Sequence, residues 1–335
     1  MKTAFRLIYL PLLSFVVMKV GVVLYYSWTL PKLNLPPAPF HKPSPPLSPP
    51  TQLMRQTPPQ SISVVYIYFS NGAPPPDYVW KTARISLSQG NSVVMITDIK
   101  EQQLYHPGFR LLDIRLFIDA NNNLKLFRSV YQPWGLKEPW EQQNTERFFV
   151  LLRFMEREML PWVFYADCDV AVLTRVDLLM KTNENCDAIV SLQHQAPIMQ
   201  WSTTDWVVWA GTSLLSYGVL KDFIEFVPQT YQYHLPILEH KRSNAPYVCD
   251  MTLWYLFAGK AEPSLAKRWG WPDPAGSLTL PITSHVWRFC DILEYGFDHH
   301  KGYLSNKPLQ EWKSLHFQGD GKGEIDKVVG HTISE

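Results

Sequence analysis

Short apolar runs alternate with amphipathic stretches along most of the chain. Ser63-Val64-Val65-Tyr66-Ile67-Tyr68-Phe69 is apolar at nearly every position and stops at Ser70-Asn71-Gly72. That pattern predicts a strand buried on both faces and closed by a turn. Asp77 to Leu87 predicts a helix, and Ser92 to Asp98 a second strand. Strand, helix, strand in this order implies parallel pairing through a right-handed crossover. Leu111 to Ile114 predicts a short third strand. Between Glu146 and Glu158 the apolar residues Phe148, Leu151, Leu152 and Met155 fall at helix spacing, with Arg153, Glu156 and Arg157 on the opposite face. This helix feeds a strand after Pro161, and Ala188 to Leu192 predicts the next one. No internal repeat interrupts the series. The fold class is α/β, with a Rossmann-like, mostly parallel sheet flanked by helices. In such sheets ligands bind beyond the carboxyl ends of the strands.

The first sixty residues read differently. Lys2 and Arg6 precede an apolar run from Leu7 to Trp28, broken by Lys19. About 20 apolar residues cross a bilayer core. Lys19 near the middle costs ~3 kcal/mol, which the surrounding Leu, Val, Phe and Tyr offset. A cleaved signal peptide with Leu7 to Met18 as its core is the alternative, but no small-x-small cleavage site follows it. Residues 7–28 are therefore expected to be an uncleaved signal-anchor, with the amino terminus in the cytosol. Lys32 and Lys42 beyond the run make the charge bias weak. From Pro31 to Pro59 the chain places 11 of its 28 prolines, a composition that favours extended polyproline II and cannot pack a core. The expected organisation is an anchor over 1–30, a Pro-rich stem over 31–60 and a catalytic domain over 61–335. An anchor followed by a stem fits a single-pass type II membrane protein, at the Golgi membrane in a eukaryotic cell.

Composition narrows the chemistry. A net charge of +1 gives no basic excess for nucleic acid to meet. The 13 Trp and 16 Tyr are many for 335 residues; sugar faces stack on such rings, and the same rings fill cores. The four cysteines, Cys168, Cys186, Cys249 and Cys290, form no CxxC pair, which argues against structural zinc. Cys168 reads as a small buried filler, turned away from its acidic neighbours by strand alternation. A disulfide among the others is compatible with an oxidising lumen, but the sequence does not pair them.

Four segments carry candidate chemistry. In Phe164-Tyr165-Ala166-Asp167-Cys168-Asp169-Val170-Ala171-Val172-Leu173, two carboxylates one residue apart end one apolar run and begin another. At the tip of a strand, Asp167 and Asp169 suit Mn²⁺ or Mg²⁺, which take hard oxygen ligands and leave positions open for phosphate. In Ser314 to Gly323, His316, Gly319 and Lys322 are three apart. The imidazole can complete a metal site, the glycine lets backbone approach phosphate, and the lysine supplies a point charge. Trp209-Ala210-Gly211-Thr212-Ser213 is a small-residue stretch entering a strand. Asp250 opens a helix, where it can also serve as an N-cap.

In this order the segments resemble the GT-A fold nucleotide-sugar glycosyltransferases, and among them glycosyltransferase family 8, the group of glycogenin and the lipopolysaccharide galactosyltransferases. The likeness covers residues 61 to 325 in layout. It implies that Asp167 and Asp169 hold manganese. The family closes with His-x-x-Gly-x-x-Lys followed by Pro-Trp. His316, Gly319 and Lys322 match, while Gly323 and Glu324 replace the last pair. The match implies His316 as the third protein ligand, with Lys322 and Gly319 on the donor diphosphate. Arg147 resembles the family's basic residue on the helix before the Asp-x-Asp. Ala210-Gly211 resembles its Asn-Ala-Gly, with Trp209 where Asn is usual. Asp250 resembles the Asp of its Asp-Gln pair, with Met251 in place of Gln.

The expectation is a metal-dependent transferase moving a sugar from a nucleotide-sugar, a UDP-sugar by the resemblance, to a glycan, glycoprotein or glycolipid, with retention. Arg147 and Asp250 would orient sugar and acceptor. Under an inverting reaction Asp250 would be the first candidate base. Trp201, Trp206 and Trp209 could form an acceptor platform. A metal-dependent phosphohydrolase is the rival enzyme, although two-metal sites need more His and Asp ligands than are evident. A membrane-tethered glycan-binding module is the non-catalytic rival.

Overall fold

The computed structural model describes residues 62–70, 72–98, 108–132, 139–182, 185–194, 206–234, 249–261, 287–292, 313–317, 322 and 325–326. The expected anchor and stem, Gly319 and Trp201 lie outside them. Among the described residues no helix is long and apolar enough to cross a membrane.

The elements run β1 (Ser63–Tyr68), α1 (Asp77–Ser88), β2 (Ser92–Thr97), β3 (Arg110–Asp113), α2 (Arg115–Ile118), α3 (Asn122–Val130), α4 (Trp140–Glu158), β4 (Trp162–Ala166), β5 (Val170–Val172), α5 (Asp177–Thr182), β6 (Ala188–His194), β7 (Trp206–Ser216), α6 (Tyr217–Gln229), a π-helical turn (Thr230–His234), α7 (Asp250–Ala261), β8 (Phe289–Asp291) and β9 (Ser314–His316). Seven strands form one sheet in the order β3-β2-β1-β4-β7-β6-β8. β3, β2, β1 and β4 are parallel, as the alternation predicts. β7 runs antiparallel to both β4 and β6, so β4 sits where the parallel half of the sheet meets its reversed strand.

Alternation along the central strands divides the core. Val65, Ile67, Val94, Ile96, Val163 and Tyr165 face Phe148, Leu151 and Leu152 of α4, with Phe223 of α6 and Trp254 of α7. One residue along each strand, Val64, Tyr66, Val93, Met95, Phe164 and Ala166 face Val79 and Ala83 of α1. Helices therefore cover both faces, and the near-continuous apolar runs are explained by burial on both sides.

One boundary differs from the expectation. α4 begins at Trp140, not Glu146. Its first turns bury Glu141, Thr145, Glu146 and Arg147 rather than hydrocarbon, so apolar spacing is silent there. The strand before the two aspartates ends where the residue pattern places its acidic tip. β4 ends at Ala166, and Val170 N–H donates to Asp167 O at 2.8 Å, closing a turn over the two aspartates. The chain then enters a separate two-stranded sheet, β5 paired with β9.

Cys186 and Cys290 form a disulfide with Cα atoms 6.0 Å apart across 104 residues. It ties the approach to β6 to the edge strand β8, whose Cys290 lies opposite Ile189. The two thiols left are Cys168 and Cys249. A thiol titration of the unfolded, unreduced chain should count these two, and four after reduction. Replacing Cys186 and Cys290 by Ser should lower stability by about 2–4 kcal/mol in urea. Four free thiols without reductant would contradict the pairing.

Candidate active site

The turn between β4 and β5 is fastened before any ligand arrives. Thr82 of α1 donates its hydroxyl to Cys168 O at 2.8 Å. The Cys168 thiol donates to Ile67 O of β1 at 3.2 Å. Tyr66 donates to Val170 O at 3.0 Å, and Val172 N–H donates to Ser86 Oγ at 3.0 Å. Burial and the two flanking carboxylates push the Cys168 thiol well up. It is a neutral donor, and the residue is half-buried and lines the cleft instead of being the buried filler expected.

β9 brings the distant histidine to this turn. The antiparallel register places Val170 opposite His316 and Val172 opposite Ser314, and Phe317 N–H donates to Asp169 O at 2.8 Å. His316 Nε2 lies 3.3 Å from Asp169 Oδ1, and Lys322 Nζ 3.4 Å from Asp169 Oδ2. Phe317 and Ile325 are buried against Ala171 and Ile85, which holds this part of the chain on β5 and α1. Burial works against the charge on Asp169, but His316 and Lys322 outweigh it and hold the carboxyl below its ordinary value. Burial also opposes the charge on Lys322; Asp169 and Tyr78 outweigh it and raise the amine above its ordinary value. The lysine stacks over the Tyr78 ring, 4.5 Å from its centroid.

Asp167 meets a different cation. Arg147 Nη1 lies 2.5 Å from Asp167 Oδ1, and its Nη2 lies 2.6 Å from Asp250 Oδ2. Tyr165 donates to the same Asp167 Oδ1 at 2.8 Å. Burial opposes the guanidinium charge, yet Asp167, Tyr165 and Asp250 raise it above its ordinary value. For Asp250 burial wins over the offset from Arg147 and lifts the carboxyl. Its side chain is 5% exposed, so it grips Arg147 from behind rather than facing the cleft. Among the described residues Arg147 Nε is buried without a hydrogen-bond partner.

The cleft above these groups is about 170 Å³, and its walls include Tyr68, Tyr78, Trp140, Gln143, Arg147 and Asp169. It opens at the carboxyl ends of β1 and β4, as the fold class predicts. Gly211 forms part of the support beneath Asp167. Its carbonyl accepts from Asp167 N–H at 2.7 Å, and a Cβ there would collide with Asp167 Oδ2 and with the Trp209 ring. The antiparallel register of β4 and β7 produces this approach: Ala166 pairs with Thr212, and the next step sets Asp167 opposite Gly211. On its other edge β7 bulges: Ile189 pairs with Leu214 and Ser191 with Trp209, so β7 fits five steps against two of β6.

The sequence-predicted residues thus divide into two neighbouring groups. Asp169, His316 and Lys322 meet, and so do Asp167, Arg147 and Asp250, with Gly211 against Asp167. Among the described residues no three His, Cys, Asp or Glu side chains converge as a ready cation cage, and Oδ1 of Asp167 is engaged by Arg147 and Tyr165. The donor types still suit a divalent ion. Asp169 and His316 offer a carboxylate and an imidazole side by side, and Asp167 keeps Oδ2 outside its bonds to Arg147 and Tyr165. A nitrogen among hard oxygens favours Mn²⁺ over Mg²⁺.

One expectation is corrected. Trp209 is 7% exposed and stacks on His316 instead of presenting an acceptor platform. Reading the sequence also missed Tyr165, Gln143 and Asn144. Alternation puts Tyr165 on the same side as Asp167, two residues away. Gln143 and Asn144 precede Arg147 by one helical turn and share its face. Nothing local in the sequence links Tyr78 to Lys322.

Arg147→Met should cost about 3–5 kcal/mol in urea denaturation, because it leaves buried carboxylates uncompensated. Adding Asp250→Asn should recover part of that loss, and strict additivity of the two substitutions would contradict the pairing. Gly211→Ala should cost about 1–3 kcal/mol, since the added methyl must displace Asp167 or Trp209; an unchanged midpoint would contradict that packing.

No family model and no curated protein matches the chain. Among solved structures it is similar to mouse xyloside xylosyltransferase 1 in its apo form, at 12% identity and a TM-score of 0.41, over 68% of this chain and 97% of that one. It is similar to an active-site mutant of LgtC at 11% identity and a TM-score of 0.40, over 81% and 96%. A third is a glycosyltransferase involved in glycosylation of the major capsid of PBCV-1, at 12% identity and a TM-score of 0.36, over 81% and 99%.

Proposed function

We propose that this chain is a metal-dependent glycosyltransferase of the GT-A type, using a nucleotide-sugar, with a UDP-sugar as the expected donor. One observation carries the reading. His316 and Lys322, some 150 residues after the Asp-x-Asp turn, approach the two oxygens of Asp169 at 3.3 and 3.4 Å beside a cleft at the strand ends. Asp169 and His316, with Oδ2 of Asp167, would hold Mn²⁺. The ion when bound supplies positive charge to the two phosphates of the donor.

The chain's own groups do the rest. Lys322 is kept protonated and near the cleft, where it neutralises charge on the departing diphosphate. Tyr78 keeps the ammonium in place by stacking. Arg147, fixed from behind by Asp250, holds Asp167 and lines the donor cleft. The acceptor hydroxyl oxygen bonds to the anomeric carbon as the carbon–oxygen bond to the diphosphate breaks. In a retaining reaction the hydroxyl proton passes to a leaving phosphate oxygen, so no separate base is needed. Engagement of Asp250 with Arg147 supports retention, because Asp250 is the carboxylate an inverting reaction would call on. Cys186–Cys290 supports a catalytic domain in an oxidising lumen, in keeping with a type II anchor over residues 7–28.

The full-length chain, incubated with a panel of nucleotide-sugars, should release sugar slowly in the presence of Mn²⁺ and not after chelation. Asp169→Ala should lower that rate by about 100-fold or more. Metal-dependent cleavage of simple phosphate esters without donor turnover would assign a phosphohydrolase instead. Glycan binding with no turnover of any donor would assign a binding module.

A further inference from the structure

His316 is held on two sides. Its Nε2 edge faces Asp169. The Trp209 indole lies against its face, with ring centroids 4.8 Å apart and planes 24° from parallel. The two rings come from different sheets, Trp209 from β7 and His316 from β9. Trp209 packs in the same buried cluster as Phe164 and Ala166, so the indole is a fixed surface. Gly211 leaves the room it occupies, since a Cβ at that position would press on indole Cε2.

An imidazole at the end of a strand has a broad, two-fold torsion about its ring bond. Rotation would carry Nε2 away from Asp169. A rigid ring packed against its face limits that rotation, and a ligand already oriented loses less freedom on binding.

We propose that Trp209 is a positioning residue for the metal seat: its stacking fixes the plane of the His316 imidazole so that Nε2 is presented beside Asp169 to a divalent cation. This rests on the reading of Asp169 and His316 as metal ligands. It gives a purpose to the aromatic residue at the position where the resembled family has Asn.

Mn²⁺ binding to the full-length chain, read from the paramagnetic signal of the free ion, tests the proposal without any turnover. Wild type should bind, and Asp169→Asn should weaken binding by about tenfold or more. Trp209→Leu should weaken it about tenfold, while Trp209→Phe, which keeps a ring, should stay within about threefold of wild type. Indole emission supplies a second readout: Mn²⁺ should quench wild type more than Trp209→Phe, the difference being the indole next to the ion. Should Trp209→Leu not fold, the quenching difference and the retained affinity of Trp209→Phe decide. Wild-type affinity in Trp209→Leu, or equal losses in both Trp209 variants, overturns the role of Trp209 alone when Asp169→Asn still loses binding. A wild-type chain that binds no Mn²⁺ overturns the metal reading and this inference with it.

Discussion

The three-residue ladder between β5 and β9 is the constraint on which the candidate site depends. Val170 opposite His316 and Val172 opposite Ser314 bring a segment near the carboxyl terminus against the turn that carries the two aspartates. Two strands this short are marginal alone. Here they are held by burial of Ala171, Phe317 and Ile325 against α1, and by hydrogen bonds from Tyr66 and to Ser86. Loss of that support would leave Asp169 in place but remove its imidazole and ammonium partners. The site is thus made by tertiary contact between distant segments, and its integrity follows the packing of α1.

A second constraint is electrostatic. Arg147 is buried between Asp167 and Asp250. Buried ion pairs contribute little net stability, because desolvation offsets most of their attraction, yet removing one partner is expensive. Such an arrangement specifies geometry more than it stabilises. It fixes Oδ1 of Asp167 toward the guanidinium and leaves Oδ2 at the edge of the turn. Gly211 reinforces the same choice by steric means, since any side chain there would overlap that oxygen. Trp209, two residues before Gly211 on the same strand, stacks on His316, so β7 serves both halves of the site.

Where burial and chemistry coincide, the sequence was informative. The runs at β1, β2 and β4 are apolar because both faces are covered, and α1 shows helix spacing because one face meets the sheet, whereas α4 from Phe148 to Met155 is buried against helices as well as the sheet, with Arg153 left out. Residues 140–145 of α4 were invisible for the opposite reason: they bury Glu141 and Thr145 rather than hydrocarbon. Asp169, His316 and Lys322 were found through residue type and spacing, but their meeting depends on β9, three residues with no periodicity to detect. Asp250 was legible as the start of a helix, whereas its grip on Arg147 is a tertiary fact. Trp209 was misjudged as an acceptor surface because composition does not distinguish an exposed ring from one buried against a histidine.

The central claim is that Asp169 and His316 are two ligands of one cation. It is tested most directly by anomalous diffraction at the manganese edge from crystals of the chain grown with Mn²⁺ and a nucleoside diphosphate. The account predicts one anomalous peak within bonding distance of both Asp169 and His316 Nε2, with diphosphate oxygens on its open side. A diphosphate seated in the cleft with no peak there, or a peak bound by other residues while His316 stays unligated, would contradict it.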